Sequence, residues 1–107
     1  MDVAKETQDK INQLQNIEQN LQVLLSQRQQ FQMQLIELES AETELGTTDV
    51  AYKIVGNIMV KMPKDQLKKS VMEKKESLML RVKTLENQEE KLKNQSQDLQ
   101  KEVLKKV

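Results

Sequence analysis

Two seven-residue apolar repeats separated by one short β-rich stretch constrain this chain more than any other feature. The first seam steps through Leu14, Ile17, Leu21, Leu24, Arg28, Phe31, Leu35, Leu38, Glu42 and Leu45, alternating three and four residues with two polar interruptions. A spacing that averages 3.5 residues keeps one stripe of an α-helix turned toward a partner helix. Extended backward, the register meets Lys10, Thr7 and Val3, so the seam weakens toward the amino terminus without losing step and predicts a helix over about 3–45. The second seam reads Leu67, Val71, Lys75, Leu78, Val82, Leu85, Glu89, Leu92, Ser96, Leu99 and Val103, with one position of each heptad turning polar beyond Val82. It predicts a helix over 64–107.

Each helix is about 43 residues long and would extend roughly 65 Å at about 1.5 Å per residue. Equal lengths invite the two to fold back on each other. Charge supports this: residues 1–45 hold eight acidic and three basic side chains (net −5), whereas residues 46–107 hold nine and fourteen (net +5). A parallel dimer of each helix with its own copy would set like charges side by side along the flanking positions. An antiparallel two-helix coiled coil is therefore expected, with paired positions whose numbers sum to about 112. With 36% hydrophobic residues, one Phe, one Tyr and no Trp, the chain is too poor in bulky apolar groups for a conventional globular core. A two-helix seam is what it can bury.

Between the helices, Gly46, Thr47, Thr48 and Asp49 offer a helix stop followed by turn formers. A β-hairpin is expected over 50–62, with Gly56 and Asn57 as its two-residue turn. Pro63 ends the second strand and opens the next helix, whose first turn holds Asp65 where the helix dipole favours an acid. Across the turn Val55 would face Ile58, Ile54 would face Met59, and Lys53 would face Val60. Apolar groups then lie on both faces of the ribbon, with Tyr52 beside them. The helix bases offer too little surface to cover two faces and two edges. Tyr52, Ile54, Val55, Ile58, Met59 and Val60 are accordingly read as an assembly surface that meets the hairpins of other subunits edge to edge.

The composition excludes several function classes. Without His or Cys the chain lacks the commonest general base, the thiol nucleophile and the usual transition-metal ligands, so no catalytic residue, metal or cofactor is expected. Two separated glycines cannot form a phosphate-cradling loop. Zero net charge, with neither a continuous basic stretch nor an aromatic platform, argues against nucleic acid. No run approaches the roughly 18 apolar residues of a membrane span, and no signal peptide precedes Val3, which together suggest a cytoplasmic protein with no membrane partner.

A long Gln-rich amino-terminal helix, one hairpin within YKIVGNIMVKMPKDQLKKSV, and a helix containing EKKESLMLRVKTLENQEEKL together resemble a beta-class prefoldin subunit of the archaeal type. The resemblance covers essentially the whole chain as a single prefoldin-like domain, 1–107, and is most specific from Tyr52 through Leu92. Alpha-class relatives carry two hairpins where this chain has room for one, and the tail after Leu99 lacks the extension many relatives possess. The resemblance implies a hexamer of two alpha-class and four beta-class subunits whose hairpins form a double β-barrel platform from which the coils hang. It also implies an ATP-independent holdase that grips unfolded polypeptides at the coil tips and passes them to a group II chaperonin. A coiled-coil adaptor that holds two macromolecules apart is the alternative.

The residues can be read for the holdase role directly. In an antiparallel hairpin both termini lie at the end far from the β segment. Ile11, Leu104 and Val107 fall off the seam there and would face solvent. Val3, Leu14, Ile17, Leu99 and Val103 lie on the seam, but Lys10, Ser96 and Lys106 make its packing poor enough to fray. These eight are the candidate client-binding residues. The fifteen glutamines and the lysine pairs read first as solvated helix surface, with Lys105 and Lys106 placed to meet an acidic partner.

Overall fold

The computed structural model describes residues 2–105, with side chains from position 4. Its elements run α1 (Asp2–Thr47), β1 (Ala51–Val55), β2 (Ile58–Met62) and α2 (Lys64–Lys105). The fold is mainly helical, with a two-stranded antiparallel hairpin between two long helices. The chain divides into two compact units, one of residues 30–82 and one of residues 1–29 with 83–107.

In the unit of residues 30–82, the end of α1 runs antiparallel to the start of α2. Leu35 and Leu38 face inward with Leu78, while Leu45 and Val82 are buried. The Arg81 guanidinium lies 5.6 Å from the centroid of the Phe31 ring, and Lys75 Nζ donates to Glu42 Oε2 at 3.2 Å. The α2 seam takes two successive four-residue steps, Leu67 to Val71 to Lys75. Three steps thus span the eleven residues to Leu78, a spacing that locally unwinds a left-handed coil.

The other unit joins the first part of α1 to the last part of α2, again antiparallel, through half-buried Leu14, Ile17, Leu21 and Leu24 on α1 and buried Leu85 on α2. The polar interruption of one seam meets that of the other here: Arg28 Nε donates to Glu89 Oε1 at 2.8 Å. Glu89 is the most covered residue described, at 6% exposed. This hydrogen bond raises the Arg28 pKa above the ordinary arginine range, against the opposing effect of desolvation. The charge therefore persists, and its stabilisation is lost only above that range.

Both polar seam pairs, Arg28 with Glu89 and Glu42 with Lys75, have numbers that total 117, not the expected 112. The apolar seams require it: a total near 117 sets seam position against seam position, Leu14 with Val103 and Leu35 with Val82, whereas 112 would set Leu14 against Asp98 and Leu24 against Gln88. The opposed seam charges then favour this register over one shifted by a heptad, and Lys10–Glu102 and Phe31–Arg81, at 112, are diagonal contacts to flanking positions.

Helix α1 runs through Gly46 to Thr47 instead of stopping at the glycine. The Thr47 hydroxyl donates to the Glu44 carbonyl at 3.0 Å and satisfies one of the last unpaired acceptors, and Thr48 Oγ1 then accepts the Val50 N–H at 3.3 Å to turn the chain. The hairpin register is Val55 with Ile58, Ile54 with Met59, and Lys53 with Val60, as the sequence indicates. Gly56 has φ +61° and Asn57 no positive φ, the signature of a type II′ turn. The Pro63 carbonyl accepts the Leu67 N–H at 3.1 Å and opens α2.

Two predictions follow from these contacts. Gly46 is helical and nothing lies within 4 Å of an added Cβ, so Gly46→Ala should raise stability by about 0.5–1 kcal/mol. Gly56→Ala should lower it by about 1–3 kcal/mol, because the same methyl is strained at positive φ; urea unfolding of both variants checks the opposite signs. For the buried pair, Arg28→Leu or Glu89→Leu alone should cost on the order of 2–3 kcal/mol. That is less than the 3–5 of a fully buried pair because part of Arg28 stays wet. The double variant should cost clearly less than the sum in a double-mutant cycle.

Candidate functional site

Alternation along the ribbon divides its side chains between two faces. One carries Ala51, Lys53 and Val55 with their partners Met62, Val60 and Ile58; the other carries Tyr52 and Ile54 with Lys61 and Met59. Ala51 is buried and Met62 half-buried, so the helices cover only the base of the first face. Beyond it both faces stand bare, with Ile54 71%, Met59 66% and Ile58 65% exposed, and Val55, Tyr52 and Val60 also open. Six sizeable apolar side chains on ten strand residues are more than scattered surface hydrophobicity accounts for. The strands also present unpaired outer edges.

At the other sequence extreme, the Lys10–Glu102 ion pair at 3.1 Å brings the start of α1 beside the end of α2. The candidate tip residues divide by burial. Leu104 is 74% exposed, the most open large apolar side chain described. Leu14, Ile17, Leu99 and Val103 are half-buried in the seam. Ile11 is also half-buried, although its register places it off the seam, because both Lys10 and Ile11 turn partly inward at this end. Val3 belongs to α1 but its side chain, like Val107, lies outside the described residues.

Arg28, Glu42, Lys75 and Glu89 break the two apolar seams and meet in pairs, which the seam spacing of either helix by itself does not reveal. The signal was present: in each pair the two interruptions carry opposite charge and fall at one common register. Further apolar groups lie open along the helices, among them Met33, Ile36, Met79 and Leu80. Among the described residues no cluster of acidic side chains could hold a metal ion, and no helix is long and apolar enough to cross a membrane. What this arrangement offers is exposed apolar surface.

Comparison with known proteins is consistent throughout. A family described as prefoldin subunit matches residues 8–107. The chain is 40% identical over 91 residues to a prefoldin subunit beta of Archaeoglobus fulgidus, spanning 82% of this chain and 78% of that one. A prefoldin subunit beta of Methanospirillum hungatei is 33% identical over 104 residues, covering 94% and 87%. Among solved structures, the crystal structure of the prefoldin beta subunit from Thermococcus strain KS-1 superposes with a TM-score of 0.86 at 35% identity, over 92% of this chain and 89% of that one. A single hairpin between two antiparallel helices, matched in sequence and in shape over nearly its whole length, places this chain in the prefoldin family as a beta-class subunit.

Proposed function

We propose that this chain is a non-enzymatic chaperone subunit that acts as an ATP-independent holdase. It assembles through its hairpin with other prefoldin subunits, two alpha-class and four beta-class, into a hexamer. The coil ends capture unfolded polypeptides in the cytoplasm and deliver them to a group II chaperonin. The single observation that carries the reading is the bare ribbon. Ile54, Met59 and Ile58 are about two-thirds exposed, left uncovered by the described residues. At about 25 cal/mol per Å² of apolar area removed from water, burying this ribbon against neighbouring hairpins drives assembly.

Assembly then gives the open coil ends their use. A client held by one coil end gains little, whereas one touched by several gains through effective concentration without any new contact type. Leu104 supports this role by exposure, and Leu14, Ile17, Leu99 and Val103 by incomplete burial that a local opening would complete. Ile11, Val3 and Val107 join them by sequence position.

The test is dilution of a guanidine-denatured protein into the assembly of this chain with an alpha-class subunit, without ATP, followed by light scattering. The intact assembly should suppress aggregation, and the variant Ile11→Ser, Leu104→Ser, Val107→Ser should do so several-fold less well at unchanged assembly size. A failure of the intact assembly would sink the holdase reading in favour of an adaptor. Separately, Ile54→Lys with Met59→Lys should abolish assembly, seen as a loss of the large species on size-exclusion chromatography, while far-UV circular dichroism keeps its helical signal.

A further inference from the structure

The glutamines and asparagines, so far only a solvated surface, are not evenly distributed around the coil. In the unit of residues 1–29 with 83–107, two grooves of about 480 and 490 Å³ lie along one flank of the seam and share Asn20 and Gln95, so they are continuous. Their floor is apolar, from Ile17, Leu24, Leu92 and Leu99. Their walls carry six carboxamides: Gln13, Asn16, Asn20, Gln27, Gln88 and Gln95. The only charges are Lys91 and Asp98, which cancel. The groove on the other flank differs in kind. It measures about 130 Å³, and beside Leu21, Leu25 and a single carboxamide, Gln22, it is lined by four charged groups, Glu18, Arg28, Glu89 and Lys93.

We propose that the carboxamide-walled groove is a second client-binding surface, one that takes an extended, uncharged segment of unfolded polypeptide along the side of the coil. The inference deepens the holdase reading and rests on it. An extended main chain presents one N–H donor and one C=O acceptor per residue, with no net charge. A carboxamide offers both a donor and an acceptor, whereas an ionised carboxylate offers only acceptors and an ammonium only donors. Neutral walls therefore match a bare peptide backbone whichever way it runs. Each carboxamide also avoids the cost of stripping water from a fixed charge, which on this flank falls on Lys91 and Asp98 alone.

The half-buried floor leucines complete the match, since alternate side chains of an extended segment point the same way and can rest on them. Ile17 and Leu99 belong both to this floor and to the candidate tip set, so the groove continues from the coil end along the helices. The charged flank has less room and carries four fixed charges in place of two. Binding is thus expected on one side of the coil only.

The experiment places the photoreactive residue p-benzoylphenylalanine singly at Gln95 in the groove, at Gln22 on the charged flank, or at Leu104 at the tip. Each variant is assembled with the alpha-class subunit and irradiated with an unfolded test protein. The inference expects cross-links at Gln95 and Leu104 and several-fold fewer at Gln22. Cross-links at Leu104 alone, or equal yields at Gln95 and Gln22, would overturn the groove while leaving the holdase intact; none at any position would overturn both. A second arm uses Asn20→Asp, Gln27→Glu and Gln95→Glu together, which keep shape but remove the donors. It should weaken suppression of an uncharged client several-fold, with Gln22→Glu as an unchanged control; equal suppression by both variants would also overturn the groove.

Discussion

A seam between two antiparallel helices can cover its side chains on one side and not all round, and the rest of this structure follows from that limit. Even the best-covered apolar residues of the seam, Leu45, Val82 and Leu85, keep 8% of their surface exposed, and most seam positions remain half-buried. A globular core would enclose such side chains and hold them fixed. Here each leucine contributes only part of its transfer free energy, and local opening at a weak stretch costs little. The same incompleteness that makes a single chain marginal leaves apolar surface open to solvent.

Within that thin core, the polar pairs have a role that apolar residues cannot fill. Leucine layers tolerate a slip of one heptad, because each layer resembles the next. A seam arginine or glutamate does not, since a shifted register would leave a largely desolvated charge without its partner. Arg28 on Glu89 in one unit and Glu42 on Lys75 in the other each fix which residues face each other locally. Their direct contribution to stability is modest. Their contribution to a single defined pairing is larger, and that pairing decides which side chains of the two helices line each flank of the seam.

The hairpin solves a different problem. An isolated two-stranded ribbon is marginal in water, and this one receives cover only at Ala51 and Met62. Its type II′ turn at Gly56 and its cross-strand register align the exposed apolar side chains in two rows. The chain belongs to the prefoldin family, in which a beta subunit implies a hetero-oligomer with other prefoldin subunits. The chain is thus unfinished at the hairpin by design of its pattern, and apolar at the coil end for the same lack of a second layer.

The heptad spacing, the Gly-Asn turn and Pro63 were legible in the sequence because each acts over a few residues: the spacing defines a helix stripe, the turn a strand register, the proline a boundary. Those local rules determined two helices, one hairpin and the pairings from Val55–Ile58 to Lys53–Val60. The tertiary structure alone decided what depends on how two distant stretches meet. It set Arg28 on Glu89 and Glu42 on Lys75, each pair totalling 117, and turned Ile11 partly inward while leaving Leu104 open. It also gathered amides from both helices onto one flank. Periodicity says which stripe of a helix is buried, but the facing of one helix on another is a sum of long-range contacts that no local spacing records.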